Sequence, residues 1–414
     1  MDKSITKKIK YVKKLLHLKD SEISELINLY SGLPFHYQDS SIQKLIKVSN
    51  NLCDKFEKLG KTRHKTGFGL KIHNFRRFLI LKKLFCGKYM VADVRSGIRL
   101  IVGLVDAKST TFFNYNVHFQ AALIKIGNGV EIAPNVTFGE SSLEQYASTG
   151  LPKIEIGNDV WIGIGSIIKN NVRIGEKSVI GAGAIVTEST PPHSLILGRP
   201  AKFKREITKK EREDIFGKGS PFNKDETDIL YNAVYRWANL KRNKFERILE
   251  GGQFNLLDSK LMKLYKTTHT IAEALDSTTP GSELWIKGIN YLFPLRGENF
   301  ALGNNLHLDM IGTSKIGNNV TIKSNVILGG NLIFEDGCVI DDGACLFASG
   351  HPLNSKRRKM ILTHRGIVQI GQNDLIVVKK NVHIGKNAIV TPGSIVDKDV
   401  PDNAIFAKNK IISY

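Results

Sequence analysis

The aliphatic residues between positions 156 and 186 recur every six residues. The recurring positions are Ile156, Ile162, Ile168, Ile174, Ile180 and Val186. An α-helix repeats its buried face about every 3.6 residues and a β-strand every second residue, so neither produces this spacing. A six-residue repeat is typical of a parallel β-helix, in which each hexapeptide supplies one short strand and one corner. We therefore predict stacked coils that bury these aliphatic side chains.

The same spacing extends upstream and returns in the second half of the chain. Upstream, Phe138 lies eighteen residues before Ile156, which is three hexapeptides, so the segment 139–155 is expected to leave the coils as a loop and return in register. The remaining members of the repeat are Ile126 and Ile132 in the first block and Ile316, Ile322, Leu328, Phe334, Ile340, Leu346, Ile370, Ile376, Ile384, Val390 and Val396 in the second. The sequence therefore predicts two copies of one β-helix.

Most segments outside these two blocks have helical spacing, whereas residues 63–112 contain aliphatic runs that also fit the first strands of a sheet or coil. We predict a basic, largely helical N-terminal region at 1–112, a first β-helix domain at 113–206, a helical linker domain at 207–295 and a second β-helix domain at 296–414. In the first helix one face is apolar and lysines cover the rest; the apolar residues are Ile5, Ile9, Val12, Leu15 and Leu16. Such a helix packs against its own domain or a neighbouring subunit, or else lies on an anionic membrane.

The net charge and the cysteine usage limit the possible partners and the cellular compartment. The formal net charge is +21, and residues 1–90 hold 20 basic and 7 acidic side chains. This excess suits an anionic membrane, an acidic polymer or nucleic acid as partner, or only a solvated surface. No nucleic-acid motif accompanies it, which disfavours that partner. The four scattered cysteines form no CxxC pair, and no apolar segment resembles a signal peptide or a membrane span, so a cytoplasmic protein is expected, with peripheral contact at the inner membrane as an option.

Five motifs of the first block carry a resemblance to a known family. They are FFNYNVHF (112–119), IGNGVEIAPNV (126–136), IGNDVWIGIG (156–165), VIGAGAIVT (179–187) and GRPAK (198–202). In this order they resemble the hexapeptide-repeat acyltransferases, most of all the galactoside and maltose O-acetyltransferase branch. The resemblance implies a mainly β fold of two left-handed parallel β-helix domains, acetyl-CoA as acyl donor without a metal, a sugar acceptor and a homotrimer.

The same resemblance places the general base in the second copy. The family has a His-Pro pair near the start of a loop that leaves the β-helix, and here His351-Pro352 follows β-helix positions in the second block. An imidazole of near-neutral pKa suits removal of a proton from an attacking hydroxyl. The alternative interpretation is that His351 is only an exposed loop histidine. The first copy's loop, 139–155, contains no histidine, and His118 is interpreted there as a structural residue rather than a base.

The donor signature is stronger in the first copy. By resemblance, Ala182 and Thr187 line the CoA groove, Lys202 and Arg205 lie near the CoA phosphates, and Trp161 is the tryptophan usual at this site. The other interpretation of the tryptophan and the Gly-Ala-Gly corner is β-helix packing. On the acceptor side the resemblance indicates Asn114, while Asn325 and Arg358 are weaker candidates; Arg357 and His364 flank the second loop and fit either an anionic sugar or a solvated basic loop.

The first copy thus keeps the donor signature and lacks the base, whereas the second copy keeps the base and has a weaker donor signature. Three interpretations stay open: the second copy is the catalyst with a degenerate donor groove and the first is a structural or accessory copy, the two copies form one composite site, or both copies are inactive. The favoured function is O-acetylation of a sugar hydroxyl, in a bacterial capsule, lipopolysaccharide or similar surface polysaccharide. The alternative is a non-catalytic trimeric scaffold in a polysaccharide-assembly complex.

Overall fold

The computed structural model describes most of the chain. The described residues are 3–60, 68–86, 94–95, 97–108, 110–207, 220–250, 253–255, 258–309, 313–350, 359–362, 366–373, 375–391, 394–407 and 410–413. They form two compact units, Met1–Thr208 and Lys209–Tyr414. None of the helices within these ranges is long and apolar enough to cross a membrane.

Unit 1 begins with helices that share a core with the β-helix that follows. The helices are α1 (Lys3–Leu16), α2 (Ser24–Ser31), α3 (Ser40–Gly60) and α4 (Phe68–Leu84), with a 3-10 turn at Asp20–Glu22. Ile9, Val12 and Leu16 of α1 are buried in the same hydrophobic cluster as the coil residues Ile132 and Ile162. The apolar face of α1 therefore packs against its own unit, and its lysines remain on the outer side.

Fourteen strands build the first β-helix. They are β1 (Val105–Ala107), β2 (Phe112–Phe113), β3 (His118–Phe119), β4 (Leu123–Ile126), β5 (Glu131–Ile132), β6 (Thr137–Phe138), β7 (Lys153–Ile156), β8 (Trp161–Ile162), β9 (Ile167–Ile168), β10 (Arg173–Ile174), β11 (Val179–Ile180), β12 (Ile185–Val186), β13 (Ser194–Gly198) and β14 (Ala201–Glu206). They form three faces, with the strand orders β2-β5-β8-β11-β13-β14 (face A), β3-β6-β9-β12 (face B) and β1-β4-β7-β10 (face C). Pairing is parallel except between β13 and β14. The strands thus begin at Val105, and isolated parallel bridges of Val94 with Phe113 and of Arg99 with His118 precede them, all before the predicted boundary at 113.

The six-residue repeat places buried apolar side chains, aliphatic or aromatic, on all three faces of the coils. Ile162 pairs with Ile180, eighteen residues later, because three hexapeptides complete one turn. Corner glycines permit close stacking: a Cβ on Gly163 would lie 2.6 Å from the backbone nitrogen of Ala182. The predicted loop leaves after Phe138 and the chain returns at Lys153 in register, since Phe138 pairs with Ile168 and Ile126 with Ile156.

Unit 2 repeats this plan after a helical segment. The helices are α5 (Lys224–Leu230), followed by a π-helical turn at Tyr231–Tyr235, α6 (Arg242–Leu249), α7 (Ser259–Leu275) and α8 (Glu283–Leu292). The strands are β15 (Gln253–Asn255), β16 (Leu295–Arg296), β17 (Ala301–Leu302), β18 (His307–Asp309), β19 (Lys315–Ile316), β20 (Thr321–Ile322), β21 (Ile327–Gly329), β22 (Asn331–Phe334), β23 (Val339–Ile340), β24 (Cys345–Phe347), β25 (Ser349–Gly350), β26 (Lys359–Leu362), β27 (Gly366–Asn373), β28 (Leu375–Val378), β29 (His383–Ile384), β30 (Ile389–Val390), β31 (Ile395–Val396), β32 (Ile405–Ala407) and β33 (Lys410–Ser413).

One member of the second repeat does not belong to the coils. Ile370 lies on β27, which pairs antiparallel with β15, β25 and β26 rather than parallel within the β-helix. The coils resume at β28, where Ile376 pairs with Leu332. The spacing of Ile370 was compatible with the repeat, but an antiparallel strand also accepts aliphatic residues, so spacing alone did not separate the two. The predicted fold class, mainly β with two parallel β-helix domains, an α-helical N-terminal region and an α-helical linker, is confirmed.

Candidate functional site

The last coil of unit 1 brings together most of the predicted donor-side residues. The hairpin of β13 and β14 runs along β12 and contacts both of its ends. Before β12, the Arg199 guanidinium donates its Nε–H to the Gly183 carbonyl oxygen at 2.6 Å. After β12, Lys202 Nζ lies 3.2 Å from Glu188 Oε1. Ala182 and Thr187 directly precede Gly183 and Glu188 in the chain, so each lies next to one of these two contacts. We call residues 182–188 together with Arg199 and Lys202 the last-coil corner.

The local sequence explains this hairpin. Gly198 ends β13 with φ of 108°, a backbone conformation that residues with a Cβ rarely adopt. The chain then reverses, and Gly198 pairs with Ala201. Burial lowers the pKa of the Arg199 guanidinium below its usual value. Lys202 and Arg205 lie on the exposed strand β14, and of the two only Lys202, which pairs with Glu188, lies at the corner.

Arg205 and Trp161 lie outside the last-coil corner. Arg205 pairs with Leu195 at the far end of the hairpin and donates from its guanidinium to the Glu206 carbonyl oxygen at 3.2 Å. Trp161 is half-buried on the outer side of face A, between Glu131 and Val179. It is three strands from β14, or ~14 Å at the usual strand spacing. The structure therefore separates the tryptophan from the basic residues along one face.

Sequence reasoning assigned no role to Arg199, although it lies within the quoted GRPAK motif. Its contact with Gly183 joins two residues sixteen positions apart, and it is the described hydrogen bond that ties the hairpin turn to the Gly-Ala-Gly corner. The sequence signal that could have indicated Arg199 is its position in the GRPAK motif. A hydrogen bond between a side chain and a carbonyl oxygen distant in the chain produces no periodic pattern in the sequence.

The acceptor-side candidates occupy corners of the coils. Asn114 is half-buried, and its Oδ1 accepts a hydrogen bond from the Tyr115 N–H at 2.9 Å. Asn325, with φ of 60°, accepts from Asn305 Nδ2 through its Oδ1 at 2.7 Å. Both amide oxygens therefore bind groups of their own unit, and any contact of these residues with an acceptor stays a prediction.

His118 lies on the outer side of face B. Burial, and secondarily the Arg99 cation, lowers the pKa of its imidazole below the ordinary value. Arg99 itself bridges to Asp54 at 2.8 Å and to Glu57 at 2.7 Å, both on α3. The His118 side chain is exposed, and its interpretation as a structural residue stays a prediction.

The first copy's loop packs onto the N-terminal region, which brings a histidine to it. Phe35 donates its backbone N–H to the Ala147 carbonyl oxygen at 2.8 Å, and Tyr146 Oη lies 2.5 Å from Asn170 Nδ2. A shallow depression beside the loop is lined by Phe35, His36, Tyr37, Gln38, Glu144, Ala147 and Ser148. Sequence reasoning missed His36 because it lies about a hundred residues before the loop that it faces.

His351, Arg357, Arg358 and His364 lie outside the described residues, so the predicted base and the basic loop candidates of the second copy stay predictions. The described part of unit 2 contains another histidine contact. His383 Nε2 lies 3.0 Å from Asp341 Oδ2, and Lys323 lies 2.5 Å from the other carboxylate oxygen of Asp341. The hydrogen bond from Lys323 and then that from His383 lower the pKa of the Asp341 carboxyl. Within the described ranges no three metal-ligating side chains form a cluster.

Comparison with known proteins agrees with this architecture. Residues 153–188 match the family model described as bacterial transferase hexapeptide (six repeats), so this segment is similar to that repeat. The predicted resemblance to hexapeptide-repeat acyltransferases of the galactoside and maltose type is confirmed.

Two curated relatives illustrate the similarity. A putative acetyltransferase of Schizosaccharomyces pombe is 47% identical over 104 residues, covering 23% of this chain and 50% of the relative. Galactoside O-acetyltransferase of Escherichia coli is 39% identical over 114 residues, covering 25% of this chain and 56% of the relative. The chain spans about half the length of these relatives. A maltose O-acetyltransferase structure from Clostridium difficile is 27% identical with a TM-score of 0.37, covering 45% of this chain and all of that one.

Proposed function

We propose that this protein transfers an acetyl group from acetyl-CoA to a sugar hydroxyl. The observation that supports the proposal is the last-coil corner, where Arg199 and Lys202 of the final hairpin contact Gly183 and Glu188, the chain neighbours of Ala182 and Thr187, at the end of the segment that matches the transferase repeat. Cationic side chains beside a surface corner suit a phosphorylated ligand such as CoA. The relatives named as galactoside O-acetyltransferases support the same reaction class.

The chemistry requires a base but no covalent enzyme intermediate. The sugar hydroxyl oxygen attacks the thioester carbonyl carbon while a base removes its proton. Collapse of the tetrahedral intermediate breaks the C–S bond, and the protonated base returns the proton to the sulfur, so that CoA leaves as a thiol. His351 serves as this base, with Asn114, Asn325 and Arg358 on the acceptor side. Trp161 and Arg205 extend the donor site beyond the corner. The acceptor is a unit of a bacterial surface polysaccharide, and the protein works as a cytoplasmic homotrimer.

The test is release of free thiol from acetyl-CoA in the presence of surface-polysaccharide fragments. We compare the wild type with His351→Ala, Lys202→Gln and the matched control Lys153→Gln, an exposed lysine on face C of the same unit. His351→Ala is expected to lower the acceptor-dependent rate by a factor on the order of a hundred or more. Lys202→Gln is expected to raise the KM for acetyl-CoA, and the control is expected to behave as wild type.

The outcomes also separate the roles of the two copies. Loss of rate in His351→Ala with unchanged KM in Lys202→Gln means that the second copy works with its own donor groove. Effects of both substitutions mean that both copies contribute. An active wild type that tolerates His351→Ala contradicts the assigned base and makes His118 and His36 the next targets. Absence of both acetyl-CoA binding and turnover supports the scaffold instead.

A further inference from the structure

The outward face of α4 combines apolar and basic side chains without any acidic one. Phe75 is 59% exposed and Leu79 40% exposed. Arg76, Lys82 and Lys83 are exposed on the same helix, while Leu84 is buried in the core of unit 1. Phe75, Leu79 and Lys82 follow at i, i+4 and i+7, so they form one stripe. A helix whose outer face contacts only water normally carries mixed charges there instead.

Helix α1 extends this surface with further cations. Tyr11 donates its hydroxyl to the Lys82 carbonyl oxygen at 3.3 Å, which places the middle of α1 beside the last turns of α4. Lys7 and Lys14 are exposed and lie four residues before and three residues after Tyr11, on the same side of α1. The sequence of α1 contains six lysines and no acidic residue, and that of α4 contains no acidic residue either. Two positively charged helices therefore lie side by side.

We propose that this α1–α4 surface docks the protein on a bilayer that contains anionic lipids. The lysines and Arg76 bind lipid phosphates, and Phe75 and Leu79 enter the interface between headgroups and acyl chains. The pairing of exposed apolar residues with surrounding cations is what an interfacial helix requires. Nucleic acid would use the cations but gives Leu79 no favourable contact. The apolar face of α1 is buried in its own unit, so its lysine face takes part in docking. The proposal does not depend on acetyl transfer.

Flotation of the full-length protein with vesicles tests the proposal. Vesicles of phosphatidylcholine alone are compared with vesicles of phosphatidylcholine and phosphatidylglycerol in equal parts, at low and high salt. We expect flotation with the anionic vesicles only, weakened by salt. Arg76→Gln with Lys82→Gln and Lys83→Gln should lower partitioning on the order of a hundredfold. Phe75→Ser with Leu79→Ser should lower it roughly tenfold or more.

Matched controls come from unit 2. Leu284→Ser with Ile286→Ser removes a second exposed apolar pair, and Lys260→Gln with Lys266→Gln and Lys287→Gln removes three exposed charges. Both controls should float as wild type does, and circular dichroism should show every variant folded. Equal flotation with neutral vesicles overturns the proposal, as does no flotation with either. Wild-type flotation of Phe75→Ser with Leu79→Ser would show that charge alone is used, and would also overturn it; retention of an RNA probe by that variant would then identify nucleic acid as the partner.

Discussion

The Arg199 side chain fastens the final hairpin of the first β-helix to the corner at Gly183, through a hydrogen bond of 2.6 Å from its Nε to the carbonyl oxygen. This contact holds Ala182, which precedes Gly183, in a fixed position relative to β14 and its cations. A donor that is charged and half-buried makes a stronger hydrogen bond than a neutral exposed one. Arg199 therefore adds a side-chain contact to the backbone hydrogen bonds of this corner, which run from Gly181 N–H to the Ile196 oxygen and from Gly183 N–H to the Ile164 oxygen.

Replacement of Arg199 by alanine should weaken CoA binding about tenfold or more, because a hydrogen bond from a charged group contributes roughly 1.5–3 kcal/mol. Isothermal titration with CoA measures the change. Arg173→Ala, which removes an exposed arginine of face C, is the control and should bind CoA as wild type does. Unchanged affinity in Arg199→Ala would mean that CoA does not use the last-coil corner.

Gly163→Ala should destabilise unit 1 by roughly 1–3 kcal/mol, as expected for overpacking. The new Cβ would lie 2.6 Å from the Ala182 nitrogen and 2.8 Å from the Ile180 carbonyl oxygen, and both atoms are backbone. Urea unfolding followed by circular dichroism measures the free energy of unfolding. The control is Gly281→Asn, because a Cβ there meets nothing within 4 Å and asparagine tolerates the φ of 80°. Equal stability of the two variants would contradict the close stacking.

Arg99→Gln should raise the pKa of His118, because the Arg99 cation disfavours a second positive charge. The pKa should stay below 6.5, since burial is the larger cause and remains. NMR titration of the imidazole, assigned with His118→Gln, measures the shift. Arg173→Gln is the control and should leave this pKa unchanged.

The same histidine makes stability depend on pH. Its folded-state pKa lies below that of the unfolded chain, so between the two values the unfolded state binds more protons. The contribution of His118 to stability therefore falls as the pH is lowered from about 6.5 through the folded-state pKa. Thermal unfolding of His118→Gln should show a smaller loss of stability over this window than wild type. An identical pH dependence would mean that the imidazole is not perturbed in the folded protein.

The coils could be predicted from the sequence because their spacing is local and repeated. The return of the first loop in register, with Phe138 against Ile168, follows from counting hexapeptides. The antiparallel strand that contains Ile370 could not be separated from the coils, because its partner β15 lies about 115 residues earlier in the chain. A periodic pattern carries no information on such a distant partner.

The residues of the candidate site also divide into those that the sequence could predict and those that it could not. Ala182, Thr187 and Lys202 could be proposed because they lie in motifs with a recognisable order. The contact of Arg199 with Gly183 and the approach of His36 to the first loop depend on how separate segments pack. Likewise, the apolar face of α1 is read directly from residues such as Ile9 and Val12, but whether it meets lipid or its own unit is decided only by tertiary packing.

The four cysteines should differ sharply in their reactivity towards a thiol reagent at pH 8. Burial raises the pKa of the Cys345 thiol far above its usual value, that of Cys338 to about 11, and that of Cys53 to a smaller extent. The thiolate is the reactive form, so these three should resist modification while the protein is folded. Cys86 is only half-buried and should react first. Ellman's reagent should therefore count about one fast thiol in folded wild type, none in Cys86→Ser, and all four in denatured wild type. Fast reaction of Cys86→Ser would show that one of the two units opens readily, and mass spectrometry of the labelled cysteine would show which.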